Sequence, residues 1–453
     1  MRSPHSHGKR ERRMLLRLSV LCALCVLLSP ATLFAAEQVT LGEAVKRALA
    51  ANPTVHAAKA AGDAAEAGRK SARGAFGPTL TASYGYSRIT EKREPRRTNI
   101  YPSQGMFDSV VSLNQNLFTG FRLLSTYQKA ALEAESRQLN QRLTQLNLTA
   151  NVQSTFLNYL QAVDNVRSQR DALARLREQL QITKASFDVG LRPNLDVLQA
   201  EVDVSRAESL LISAENARET HKAQLNTLLG LPATAALDYV GVLSLVPFDM
   251  ELEACLDTAY RQRPDLGIAA KAVAIAGKDV NIARSQYYPQ ISAYYAVGNT
   301  GDNPALQHVR SDGYRATRWE VGVTGTWTLF EWGRTFYADQ QARSVESQMR
   351  ADEASLKLNV GFDVKSKLLA ARDAEKLISV ATKGMEQAQE AYKQAQARYR
   401  AQVGTNFDVL DASANLTAAE TTLTGAKAGY LTALSALYAA MGELKPDLGL
   451  AGK

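Results

Sequence analysis

The chain has 453 residues, a formal net charge of +8 at pH 7 and 3 cysteines. Residues 1–36 contain six of its 53 Lys and Arg residues and only one of its 45 Asp and Glu residues. The remainder therefore carries a net charge of about +3, too small to argue for a nucleic-acid-binding role. Since Cys22 and Cys25 lie in the same segment, Cys255 stands alone after it, which excludes an intrachain disulfide in residues 37–453.

Residues 1–36 have the composition of an export signal. A basic start precedes an apolar run at residues 18–28, and small residues follow up to Ala36. The cleavage point is open between the region of Ala31 and the Ala35–Ala36 pair. No later run reaches about 18 clean apolar residues, the minimum for a helical span. If the exported protein crosses a membrane, strands must cross it.

The rest of the sequence contains an internal duplication. Residues 41–53 are echoed by residues 252–264 at an offset of 211 positions, which also carries Pro78 onto Pro289. Each half therefore encodes one helix–strand–loop–strand–helix–turn–helix unit. We assign residues 37–229 to the first repeat, 230–251 to a linker, 252–442 to the second repeat and 443–453 to a C-terminal tail.

In chain order, the first repeat begins with a predicted helix over residues 41–73. Alternating segments predict strands at about 79–87 and 109–117. A helical pattern then runs from about 121 to 188, which would reach ~100 Å as one helix. Two apolar seams along it indicate a neighbour on each side, as in a tube of helices. A coiled-coil stalk with one broad buried face is the alternative.

The second repeat predicts strands at about 290–298 and 319–330. The latter segment alternates between apolar and polar side chains, which is typical of a strand with one apolar face. Its length suits a tilted membrane strand of about 9–11 residues. The alternation predicts two sets of residues: Trp319, Val321, Val323 and Trp327 facing lipid, and Thr324, Thr326 and Thr328 facing a water-filled lumen.

Four strands cannot close a barrel alone, and an open sheet edge cannot lie in lipid. Copies of the same chain must therefore complete the sheet. Eight strands would give a barrel filled with side chains, whereas twelve would leave a lumen. A homotrimer is the simplest assembly that forms a conduit.

The duplicated strand pairs, the strand exits at residues 117–122 and 329–334, and the D-V-L turns around Asp196 and Asp408 resemble the TolC-type outer-membrane efflux and secretion channels. The resemblance extends over nearly all of the chain after the signal. It implies a mainly α fold with a membrane β-barrel: a duplicated helix–strand–strand–helix–helix unit, and a trimeric 12-stranded β-barrel continuing into a long periplasmic α-helical barrel. It also implies that the linker and tail form an equatorial belt.

The same resemblance implies a function. The protein would be the outer-membrane exit duct of a tripartite export system in a Gram-negative bacterium, serving drug efflux or type I protein secretion. It would be a passive conduit, gated at its periplasmic tip, embedded in outer-membrane lipid. Its partners would be a periplasmic adaptor (membrane fusion) protein and an inner-membrane pump of the RND or ABC type. A periplasmic coiled-coil scaffold without a pore remains the alternative.

The resemblance also assigns residues in the two tip turns, at about 188–196 and 401–408. Asp408 and Asp411 match two aspartates that face the periplasmic mouth, and Tyr399 and Asp196 match a tip tyrosine and its partner aspartate. Gly190, Leu191, Arg192 and Gly404 fall at the adaptor-docking turns. Gly404 also stands where the family has an arginine, so one closing bond is expected to be missing. Helix capping is an equally simple role for Asp196 and Asp408.

No residue pattern indicates catalysis. His56, His221 and His308 lie far apart and lack metal-ligand spacing. The sequence has no phosphate-binding glycine loop and no nucleophile elbow. We therefore predict no enzymatic activity, no cofactor, no metal and no nucleic-acid partner.

Overall fold

A computed structural model describes residues 37–88, 105–301, 303–306 and 317–450. The predicted signal at residues 1–36 and His308 lie outside the described residues. The elements of the first repeat are β1 (Glu37–Val39), α1 (Leu41–Ala51), α2 (Pro53–Gly74), β2 (Thr79–Arg88), β3 (Gly105–Thr119), α3 (Arg122–Asp188) and α4 (Asn194–Leu228). After β4 (Leu237–Tyr239) come α5 (Leu252–Gln262), α6 (Pro264–Arg284), β5 (Gln290–Gly301), β6 (Thr317–Thr326), α7 (Arg334–Arg400) and α8 (Asn406–Ala440).

The helix predicted over residues 41–73 is two helices, α1 and α2, which meet at Asn52. Pro53 cannot donate a backbone hydrogen bond and keeps the residue before it out of the helical region. Asn52 is accordingly extended, and its side-chain oxygen accepts a bond of 2.9 Å from Thr54 N. The second repeat breaks at the equivalent place, where extended Arg263 precedes Pro264.

The two 67-residue helices, α3 and α7, each turn back at the tip into a 35-residue helix. The resulting hairpins, α3/α4 and α7/α8, pack side by side through α3 and α8. Both long helices carry polar residues on much of their surface. Among the described residues, no helix is both long and apolar enough to span a membrane.

The main core lies midway along the hairpins. Phe156 and Leu157 of α3 and Leu434 of α8 are almost completely buried there. The linker covers one side of this core. Its strand β4 pairs in parallel with β1, and Tyr239 of β4 packs in the core. Leu448 of the C-terminal segment closes another side and is also buried. This belt fixes the positions from which both hairpins extend toward the tip.

The remaining strands form one antiparallel sheet in the order β2–β3–β5–β6. Each repeat contributes one pair of strands, and the two pairs meet where β3 bonds to β5. A bulge interrupts that pairing between Asn116 and Phe118. The sheet therefore joins the repeats into a continuous four-stranded surface.

Both strand exits use consecutive residues in the left-handed backbone region. Gly120 and Phe121 have φ angles of 59° and 67°, and Trp332 and Gly333 have angles of 52° and 84°. Each pair lies immediately before a long helix: β3 passes into α3 through Gly120 and Phe121 alone, whereas seven residues separate the end of β6 from α7. Glycine adopts this conformation freely, whereas Phe121 and Trp332 do so at a cost of about 1–2 kcal/mol each.

Candidate functional site

The register of the sheet separates its side chains into two faces. Leu80, Leu113, Tyr295 and Val321 are aligned across all four strands, so their side chains share one face. The next aligned row on that face contains Ala82, Val111, Val297 and Trp319. The opposite face contains Thr79, Thr81, Ser112, Asn114, Ser292, Tyr294, Glu320 and Thr324. The alternation seen in one segment of sequence therefore extends over the whole sheet.

Much of the apolar face is exposed in the described chain. Leu80 is 69% exposed, and Val321 and Val323 are 66% and 67% exposed. Contiguous exposed apolar surface of this kind marks contact with a membrane or another protein. Trp319, Val321 and Val323 lie on this face, and its contact with lipid stays a prediction.

The polar face carries its own hydrogen bonds. Tyr294 donates through its hydroxyl to Glu320 Oε1 at 2.7 Å, and the Thr81 and Ser112 hydroxyl oxygens lie 2.8 Å apart. Gly322 lies opposite Tyr294, and a Cβ there would come within 2.7 Å of the tyrosine oxygen. Glycine at this position therefore lets Tyr294 lie flat across the neighbouring strand.

Strand β6 is shorter than the predicted segment 319–330. Its last residue, Thr326, pairs with Gln290, the first residue of β5. Pro289 precedes Gln290 and has no backbone donor, so the ladder ends there. Trp327 and Thr328 thus follow the strand, which corrects their assignment to its two faces, and Trp327 instead donates its indole N–H to Tyr287 O at 3.2 Å.

Both tip turns use a left-handed residue directly after a long helix. Gly190 has a φ of 78°, and Gln402, which lies 212 positions later, has a φ of 63°. Gly404 does not share this conformation. A Cβ on Gly404 would come within 3.2 Å of Arg398 and of Tyr399 N, so this position has little room for a side chain.

Asp408 caps helix α8, as its spacing from Thr405 predicts. Its carboxylate accepts a bond of 2.9 Å from Thr405 N, and its own N–H donates to Thr405 Oγ1 at 3.2 Å. The bond from the Thr405 backbone holds the pKa of Asp408 below its ordinary value. Asp411 lies one turn further along α8 and accepts a bond of 3.0 Å from Asn415. Both carboxylates are exposed in the single chain, on one side of α8.

Tyr399 is buried, and its hydroxyl lies 3.2 Å from Thr183 Oγ1 of α3. In the single chain, Thr183 and not the carboxylate of Asp196 is the partner of this hydroxyl, and the expected role of the two residues at the mouth stays a prediction. Asp196 contributes its backbone carbonyl instead, accepting a bond of 3.1 Å from Asn406 Nδ2. Asn406 Oδ1 in turn accepts a bond of 2.8 Å from Gln179 Nε2. These side chains form a buried polar cluster, the tip junction, that joins the two hairpins of one chain.

Arg192 also contacts the second turn and is half-buried in the single chain. Its Nη2 donates to Gly404 O at 3.0 Å, and its guanidinium carbon lies 4.8 Å from the centre of the Tyr399 ring. Leu191 is 59% exposed beside it, and Val403 on the second turn is 69% exposed. The tip thus presents apolar side chains outward while its charged arginine points across to the other repeat.

Comparison with known proteins identifies the family. The model of the family "Outer membrane efflux protein" matches residues 44–231 and 255–443, which together cover most of the chain and correspond to its two repeats. The chain belongs to this family. The predicted fold class and family resemblance are therefore confirmed, and the protein is an outer-membrane exit duct of a Gram-negative bacterium.

Individual relatives of this outer membrane efflux protein extend over the same region. Outer membrane protein TolC of Vibrio cholerae is 25% identical over 429 residues, covering 89% of this chain and 91% of TolC. Alkaline protease secretion protein AprF of Pseudomonas aeruginosa is 25% identical over 419 residues, covering 89% and 84%. The solved structure of the Campylobacter jejuni CmeC outer membrane channel has a TM-score of 0.80 at 18% identity, covering 91% and 87%.

The tip junction contains residues that sequence reasoning missed in this efflux protein. Gln179 and Thr183 lie one helical turn apart on α3 and are both buried, and so is Asn406. The spacing of Gln179 and Thr183 before a turn was a signal in the sequence. It does not identify their partners, Asn406 and Tyr399, which lie more than 200 positions away. Within the described part of the chain, no group of three metal-ligating side chains occurs.

Proposed function

We propose that three copies of this chain close a 12-stranded barrel in the outer membrane, continue into a periplasmic tube of helices, and conduct exported molecules outward. The exposed apolar face of the sheet is the observation that carries this proposal. The side chains of Val321 and Val323 on this face are each about two-thirds exposed, so the face needs an apolar environment. The polar face then borders a water-filled lumen.

The outer edges of the sheet support the same assembly. Within the residues that the structure describes, β2 and β6 each pair on one side only. An unpaired edge in lipid leaves several backbone groups without partners, each at a cost of several kcal/mol. Pairing β6 of one chain with β2 of the next removes every edge. Three chains are then the smallest number that leaves a lumen.

The duct would operate between an adaptor and a pump. The relatives TolC and AprF are named as an outer membrane protein and a protease secretion protein. Other relatives are named as efflux pump outer membrane proteins. We therefore assign this chain to a tripartite exporter with a periplasmic adaptor and an inner-membrane pump of the RND or ABC type. Gly190, Leu191, Arg192 and Gly404 at the tip turns would lie at the adaptor contact.

The gate would lie at the same tip. Asp408 and Asp411 are exposed on one side of α8, and threefold symmetry would repeat them as two rings of three carboxylates. Rings of acidic side chains favour cations and bind polyvalent cations more strongly than monovalent ones. The buried tip junction around Tyr399 would hold this mouth narrow while no partner is docked.

Planar-bilayer recording of the detergent-purified protein tests both the conducting duct and the acidic rings. The duct proposal predicts a trimer that conducts ions, and a trivalent cation such as La³⁺ added on the tip side should block the current. Replacing Asp408 and Asp411 with alanine should weaken this block by at least about tenfold. The matched control replaces Glu386 and Glu390, two exposed carboxylates on α7. A soluble, non-conducting protein would refute the duct, and equal block in both double variants would refute the acidic rings.

A further inference from the structure

The two tip turns are joined by one charged side chain that crosses between the repeats. Arg192 of the first turn and Gly404 of the second occupy equivalent repeat positions, 212 residues apart. The arginine donates to the glycine carbonyl at 3.0 Å and lies over the Tyr399 ring at 4.8 Å. A hydrogen bond from a guanidinium is stronger than one between neutral groups, and the aromatic ring adds a cation–π contact.

At Gly404 the second turn lies close against the end of α7. The backbone of Arg398 and Tyr399 lies 3.2 Å from the position of a Cβ there. Glycine at this position therefore permits the backbone path on which the Gly404 carbonyl accepts the bond from Arg192. The second turn thus lacks the arginine expected from the family resemblance, and the first turn supplies one in its place.

We propose that Arg192 is a positioning residue that braces the two turns of each chain and keeps the resting mouth narrow. The inference rests on the proposed gate at the tip. Widening the mouth requires the α3/α4 and α7/α8 hairpins to separate at their ends. The brace lies at those ends, beside the buried tip junction, so such a separation must break it.

Two variants separate the brace from simple loss of charge. Arg192→Ala removes the hydrogen bond and the ring contact, whereas Arg192→Lys keeps the charge and loses the planar guanidinium. Arg177→Ala is the matched control. Arg177 pairs with Glu208 at 2.7 Å, but that pair joins α3 to α4 within one hairpin and does not cross between repeats.

Single-channel recording measures the gate directly. We expect Arg192→Ala to raise the open probability by about fivefold, with Arg192→Lys between that value and wild type. Arg177→Ala should match wild type, and all three variants should keep the melting temperature of the trimer. An open probability equal to wild type in both Arg192 variants would overturn the brace.

Hydrogen exchange supplies a measurement that does not depend on conduction. In the detergent-solubilised trimer, the amides of residues 401–405 should exchange about fivefold faster in Arg192→Ala than in wild type or Arg177→Ala. Equal exchange in all three proteins would overturn the brace. If wild type and every variant fail to conduct, the proposed function fails, and the exchange rates still decide whether Arg192 holds the turns together. Should Arg192→Ala not assemble, Arg192→Lys gives the same comparison.

Discussion

Val323→Lys and Thr324→Lys place the same charge on opposite faces of β6. Val323 aligns with Ala293 and Thr324 with Ser292, so the two side chains belong to the apolar and polar faces respectively. Residue type, length and charge are identical in the two variants. Any difference in their assembly therefore reports which face meets lipid.

The magnitude follows from the position of Val323 in the strand. It lies three residues before Thr326, the end of β6, or about 10 Å along the strand. With a tilt of about 40°, and the strand end taken as the edge of an apolar band about 25 Å tall, its depth is about 8 Å. Lysine costs about 2–4 kcal/mol at the midplane and about 0–1 near the interface, so we expect about 2 kcal/mol per copy. Three copies bring the cost to about 6 kcal/mol per trimer.

The assay is gel electrophoresis of unboiled outer-membrane extracts. It measures the fraction of each variant that migrates as a heat-sensitive trimer. A cost of about 6 kcal/mol corresponds to a factor of about 10⁴ in the assembly equilibrium. Val323→Lys should therefore yield almost no trimer, while Thr324→Lys should resemble wild type. Equal trimer yields from the two variants would refute the assignment of the faces.

Four further predictions concern the tip and the belt. Gly190→Ala should destabilise the first turn by about 1–2 kcal/mol, seen as faster hydrogen exchange there, because no atom lies within 4 Å of the new Cβ and only the left-handed backbone is strained. Tyr239→Phe should cost about 1–3 kcal/mol in chemical denaturation, since it removes a bond of 2.7 Å to fully buried Asn226. Because burial raises the pKa of Tyr239 to about 12, stability should fall as the pH rises from about 10 toward 12 in wild type, less so in the variant. Arg263→Ala should cost about 3 kcal/mol by leaving two carboxylates without their partner. Because the pKa of Asp408 is lowered in the folded chain, its carboxylate stabilises α8 at pH values above the ordinary carboxyl pKa and loses this effect as the pH falls through the lowered pKa. Asp408→Asn does not titrate, so hydrogen exchange at its second turn should not accelerate at acid pH as it does in wild type.

The features that the sequence predicts correctly are those set by neighbouring residues. Side-chain alternation depends only on positions two apart, so all four strands of the sheet are visible in it. The capping box at Thr405 and Asp408 spans three residues and appears in the structure with both of its bonds. The break before Pro53 carried an equally local signal, since the residue before a proline is kept out of a helix.

The features that could not be predicted depend on partners far along the chain. β6 ends at Thr326 because β5 begins at Gln290, a fact invisible within residues 319–330. Tyr399 of α7 meets Thr183 of α3 because the two hairpins converge at the tip, which the spacing inside either helix does not encode. The bond of Arg192 to Gly404 O joins turns that lie 212 positions apart, and the first turn alone does not encode it.

The four-stranded sheet has a consequence for biogenesis. A newly exported chain carries an apolar face and two unpaired strand edges, and such surfaces promote aggregation in water. The helical hairpins are built from contacts close in sequence and can form early, whereas the sheet joins β3 to β5 across more than 150 positions. We therefore expect a periplasmic intermediate with folded helices and an unformed sheet. Such a chain would depend on chaperones that shield its strands until three copies insert together.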